Sequence, residues 1–231
     1  VFFGGIGIWL QQHVPLFRRL PVWMDRLWDS GWMLRMATKR SIAVDPKSLG
    51  ELTVSTLKGE HGFQAREITK LISWVLTEPR PNVVSLPYTL LIALAEPLKR
   101  ALNVPVVCAL QGEDLYLEGL QEPWRGESLQ LIRSHLKHVD RFIAVSRYYA
   151  DFMAQYLHIP RDLIHVVPFG IDLEGFAPGE TKPSDGLRIG YFARIAPEKG
   201  LHVLCEAVAG MREPAELRAA AESLRRKVDA I

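Results

Sequence analysis

Short runs of β-favouring apolar residues recur along this chain, each separated from the next by a stretch with helical spacing. The runs are residues 82–86, 104–110, 141–145 and 163–169. Helical patterns cover Pro46–Leu57, residues 64–78, 90–102 and 123–138, and Arg147–Leu157. Within 64–78, Ile68, Leu71, Ile72, Val75 and Leu76 fall three and four apart and predict one buried helix face. Neighbouring parallel strands need a crossover long enough to hold a helix, and strands covered on both faces show no in–out alternation. The pattern predicts an α/β fold with a doubly wound parallel sheet and helices on both faces.

The alternation is interrupted at residues 177–186, where proline, glycine and polar residues cluster as in a linker. This divides the chain into residues 1–178 and the start of a second, smaller Rossmann-like layer at 179–231. That layer opens with a strand at 187–193 and a helix at 200–211. Residues 212–231, rich in Ala, Glu and Arg, predict a polar helix. About fifty residues is small for an independent domain, so the second layer is expected to be incomplete, and because residue 1 is Val, the start is expected to lie upstream.

A net charge of +2 gives no long-range field for nucleic acid. Cys108 lies in an apolar strand and Cys205 in a helical stretch, so neither predicts a disulfide or a metal ligand. No run approaches the roughly 18 apolar residues of a membrane span. These features predict a cytoplasmic protein without a metal or other cofactor.

Two segments could carry chemistry. Gly4, Gly5 and Gly7 precede a helical pattern, where backbone N–H groups can approach a phosphate or sugar. Leu10 stands where a dinucleotide fingerprint needs a third glycine, and Asp45 is too distant for its ribose acid. An ordinary strand-to-helix turn is the alternative. Farther on, Arg194 ends a strand and Lys199 follows just before Gly200 and a helix. A planar fork beside a compact charge suits a diphosphate, with two solvated surface cations as the alternative.

Four segments, in order, resemble glycosyltransferases of family 4. The run 194–200 is similar to the G-R-x-x-x-x-K-G signature of that family, with Ala193 in the glycine place. Residues 167–172 (Val-Pro-Phe-Gly-Ile-Asp) resemble its V-P-N-G-V-D loop, residues 144–146 its A-V-S strand end, and the glycines at 4–7 its N-terminal loop. The resemblance implies a two-domain GT-B fold and retaining transfer of a sugar from a nucleotide-diphosphate donor to a glycan or lipid-linked acceptor, without an obligatory metal. Arg194 and Lys199 would neutralise the departing diphosphate. Gly4, Gly5 and Gly7 would lie under donor phosphates or acceptor, with Gly170 and Asp172 also binding substrate.

Many relatives carry a histidine where Gln111 stands, and Gln can hydrogen-bond a sugar hydroxyl without titrating. Glu113 or Asp114 would then orient the acceptor, with a capping or turn role as the alternative. The resemblance also implies a glutamate pair eight residues apart, deep in the second domain. Glu198 and Glu206 have that separation but come too early, so the pair is expected beyond Ile231. A truncated or degenerate binding module without turnover therefore stays open, as does a nicotinamide-dependent oxidoreductase. The Trp- and Arg-rich residues 9–40 predict either an acceptor-side packing segment or weak contact at the inner membrane surface.

Overall fold

A computed structural model of the chain describes residues 11–12, 46–175, 187–211 and 215–220. Two compact units divide it, Val1–Ile171 and Asp172–Ile231. The expected boundary at 178/179, the Gly4, Gly5 and Gly7 loop and nearly all of the Trp- and Arg-rich segment lie outside the described residues.

The first unit opens with α1 (Pro46–Leu57) and α2 (Ala65–Val75). Proline suits the start of α1 because the N–H it lacks has no intrahelical partner there. Ile68 is buried, and Leu71, Ile72 and Val75 pack against the core as the spacing predicts. Leu76 does not join them: it lies one residue past the helix and is 58% exposed. Residues 90–102 are not one helix either. A 3-10 segment over Thr89–Leu94 leads into α3 (Ala95–Leu102), whose Pro97 sits in the first turn, where a missing N–H costs little.

Four parallel strands follow in chain order: β1 (Val84–Leu86), β2 (Val106–Leu110), β3 (Arg141–Ala144) and β4 (Ile164–Val166). The register sets Cys108 beside Leu86 on one side and Phe142 on the other. Between strands run α3, then α4 (Glu113–Glu118) and α5 (Trp124–His135), then α6 (Arg147–Leu157). This is the expected parallel α/β, Rossmann-like architecture. Its four described strands run in one direction, as in one wing of a doubly wound sheet.

Val106, Cys108, Leu110, Phe142 and Ala144 are fully buried, and Leu57, Ile92, Ile132, Met153 and Leu157 from the helices close over the same core. Asp140 pins the amino end of the sheet: one carboxylate oxygen accepts from Lys99 Nζ at 2.7 Å and the other from the Val106 N–H at 2.8 Å.

In the second unit β5 (Leu187–Phe192) and β6 (Ala215–Ala220) pair in parallel, with α7 (Leu201–Ala209) between them. Over its six residues, the strand at 215–220 corrects the polar helix predicted for 212–231; the rest of that segment lies outside the described residues. Its Ala, Glu, Leu and Arg favour helix by only a few tenths of a kcal/mol each. Pairing with β5 supplies partners for backbone N–H and C=O groups along six registered residues. No helix among the described residues is long and apolar enough to cross a membrane.

Candidate functional site

Open parallel sheets bind ligands beyond the carboxyl ends of their strands, where the loops diverge and helix amino ends converge. In the first unit that edge carries the turns after β1 (Pro87, Tyr88, Thr89), after β2 (Gln111, Gly112), after β3 (Val145, Ser146) and after β4 (residues 167–171). Gly112 adopts φ +89° between β2 and α4, a left-handed conformation that glycine tolerates and most residues resist. An added Cβ there meets nothing within 4 Å, so the backbone conformation selects glycine, not crowding.

Glu113, only 5% exposed, holds two of these turns together. Its Oε1 accepts from the Thr89 hydroxyl at 2.9 Å and the Thr89 N–H at 3.3 Å, and its Oε2 from the Gln111 N–H at 2.7 Å. The Gln111 side chain is exposed and donates from Nε2 to the Pro87 carbonyl at 2.9 Å, a second link between the same turns. A third link comes from α6. The Tyr149 hydroxyl accepts from the Gly112 N–H at 2.6 Å and donates to Asp114 Oδ1 at 2.6 Å. Ser146 caps α6 by accepting from the Tyr149 N–H at 3.1 Å, which fixes where that tyrosine leaves the helix.

Burial, the hydrogen bond to Asp114 and the negative charges of Glu113 and Asp114 together push the Tyr149 hydroxyl well above its ordinary range, outweighing the Gly112 N–H. It therefore stays a neutral phenol that donates to a carboxylate. Burial likewise raises the Cys108 thiol, as does the charge of Glu113, and the fully buried side chain is no nucleophile.

Tyr149→Phe should lower stability by about 1–3 kcal/mol, the usual cost of stranding a buried polar partner. The folded chain holds the Tyr149 proton more tightly than the unfolded chain, whose tyrosines titrate near pH 10. The stabilisation this brings is complete below about pH 10 and is lost as pH rises beyond it. Thermal unfolding from pH 8 to 11 should show a shallower alkaline decline in the phenylalanine variant. Parallel declines would refute the assignment.

Gly170 lies exposed in the turn after β4, and an added Cβ would meet nothing within 4 Å. The first unit thus brings Gln111, Glu113, Asp114 and Gly170 to one sheet edge. Thr89 and Tyr149 also belong there and were not among the sequence candidates. Thr89 is hidden in a polar–apolar run, and Tyr149 meets Asp114 across 35 positions that no local pattern links.

The second unit holds Asp172, Arg194 and Lys199. Asp172 Oδ1 accepts from the Glu174 N–H at 2.9 Å, closing a local turn. Arg194 and Lys199 lie between the carboxyl end of β5 and the start of α7, the corresponding edge of this smaller sheet. Both are exposed, with Arg194 Nη2 3.4 Å from Glu198 Oε1. The Tyr191 hydroxyl spans the turn, facing the Lys199 carbonyl at 3.1 Å and the Arg194 carbonyl at 3.4 Å. Gly200 takes φ +69° and opens α7.

A family model described as Glycosyltransferase Family 4 matches residues 50–174, more than half of the chain. The matched segment runs from α1 past β4 and contains every edge residue described for the first unit, as well as Asp172. No curated protein matches the chain.

Proposed function

The chain belongs to glycosyltransferase family 4, and from that premise we propose that it transfers a sugar from a nucleotide-diphosphate donor to a glycan or lipid-linked acceptor with retention at the anomeric carbon. Its function is of the glycosyltransferase type and takes a sugar donor and an acceptor in general. The observation that carries the finer reading is the polar cluster at the carboxyl edge. The turns after β1 and β2 are tied to each other and to α6 by hydrogen bonds from Thr89, Gln111, Gly112 and Tyr149, so the groups facing a substrate start from fixed positions.

In this reading Gln111, whose Nε2 is engaged by Pro87, uses its amide oxygen to accept from a sugar hydroxyl. Asp114, held on one oxygen by Tyr149, orients an acceptor hydroxyl with its carboxylate. Glu113 acts through Gln111 and Thr89 as a positioning residue. Gly170 and Asp172 let a substrate approach the turn after β4, and Gly4, Gly5 and Gly7 lie under donor phosphates or acceptor. Arg194 and Lys199 meet the charge that develops on the departing diphosphate. Such chemistry needs placement and electrostatic stabilisation more than a strong nucleophile.

A panel of nucleotide-diphosphate sugars should yield one donor whose diphosphate is released in an acceptor-dependent way. Proton NMR of the product should show the anomeric configuration of that donor. Inversion at that carbon would overturn the retaining assignment, and no release across the panel would overturn the transferase reading.

A further inference from the structure

At the end of the first sheet away from the candidate site, three metal-ligating side chains meet that the sugar-transfer chemistry does not use. Glu96 comes from α3, His135 ends α5, and His138 closes the 3-10 turn Leu136–His138 that leads toward β3. One ligand atom from each lies within 4.8 Å of the other two. We propose that Glu96, His135 and His138 form a binding site for a zinc-type divalent cation.

Two details of geometry leave room for a metal at this cluster. His138 Nε2 stands 3.4 Å from Glu96 Oε2. A charge-assisted hydrogen bond draws its atoms to about 2.7–2.9 Å. Ligand atoms about 2.0–2.1 Å from a tetrahedral zinc are separated by about 3.3–3.4 Å, a spacing that this one pair already has, while all three ligand atoms lie within 4.8 Å of one another. The second detail is the tautomer of His135. Its Nε2 lies 3.0 Å from the Leu57 carbonyl oxygen, which can only accept, so the proton sits on Nε2. Nδ1 then carries the lone pair, and the carbonyl steadies the ring as outer partners do for metal-bound histidines.

Two imidazoles and one carboxylate suit zinc better than magnesium or calcium, which prefer oxygen-only sets. Both histidines are half-buried and Glu96 is exposed, so the carboxylate is the ligand with the most freedom to adjust. Three protein atoms leave a fourth position for water. The bound ion would join α3 to the end of α5, and through the Leu57 carbonyl would brace α1 as well.

Untagged protein should take up about one Zn2+ per chain in calorimetry, with a raised Tm. Co2+ in its place should give the intense visible absorption of a tetrahedral centre. Glu96→Gln and His138→Asn change side chains whose loss leaves the His135–Leu57 contact intact. Each should weaken Zn2+ binding at least about 10-fold, the loss that even an outer partner of such a site causes. The proposal fails if no stoichiometric uptake occurs, if both variants bind Zn2+ as tightly as the parent, or if Co2+ gives only weak octahedral absorption.

Discussion

Lys199→Ala is expected to lower turnover about 10- to 1,000-fold, reaching at its upper end the loss of about 100- to 1,000-fold typical for one preorganised donor at a developing charge. A nucleotide-sugar leaving group gains negative charge on its diphosphate in the transition state, so a cation aimed there lowers the barrier more than it tightens ground-state binding. Lys199 sits in a turn whose backbone is spanned by the Tyr191 hydroxyl and ended by Gly200 at φ +69°. That restrains the carbonyl ends of the turn while the ammonium remains exposed. Arg194→Lys keeps the charge but loses the planar fork, and a fall in the same range is expected, no larger than that of Lys199→Ala. Arg194 is 67% exposed and only 3.4 Å from Glu198, a pair that contributes little at the surface and yields readily to a diphosphate. Glu198→Gln should therefore leave turnover nearly unchanged. Steady-state kinetics with saturating donor decides the matter: near-parental turnover in both cation variants would remove the proposed leaving-group role.

The largest loss of stability is expected from Glu113→Ala. The buried carboxylate accepts from the Thr89 N–H, the Thr89 hydroxyl and the Gln111 N–H. Alanine leaves those donors facing a space from which the acceptor has gone, and each stranded buried donor costs about 1–3 kcal/mol. Allowing for relaxation of the more exposed Gln111 turn, a total of about 3 kcal/mol is reasonable. That corresponds to a Tm lower by about 6–12 °C for a chain of this size. Glu113→Gln retains one acceptor oxygen but turns an NH2 group toward a donor, so about half the loss is expected. Thermal unfolding of the two variants tests the order. An alanine variant as stable as the parent would mean the carboxylate is not the tie between the turns after β1 and β2.

Much of the first unit was legible in the chain itself. Residues 104–110 hold consecutive apolar, mostly β-branched or small side chains, a run suited to a largely buried strand, and β2 lies within them. Arg147–Leu157 carries Ser146 immediately before it, a helix-capping residue in its capping place, and α6 has those bounds. The acidic and amide groups at Gln111, Glu113 and Asp114 could also be picked out, because the family resemblance implies a polar residue directly after this strand. Their division of labour could not. Glu113 and Asp114 are adjacent carboxylates, yet one is held by Thr89 and Gln111 while the other meets Tyr149 from α6.

What local pattern decides is whether a segment can bury one face or both, since that depends on side chains spaced two, three or four apart. Which polar atoms meet depends on strand register and on where distant helices begin. Residues 215–220 show the limit most plainly, since their composition favours helix and their backbone pairs with β5. Helix propensities differ by only tenths of a kcal/mol per residue, and a helix would satisfy the same backbone groups internally, so a modest net gain from registered pairing with β5 is enough to reverse the local preference. Tertiary structure therefore chose the element there, as it chose the partners of Glu113, Tyr149 and His135.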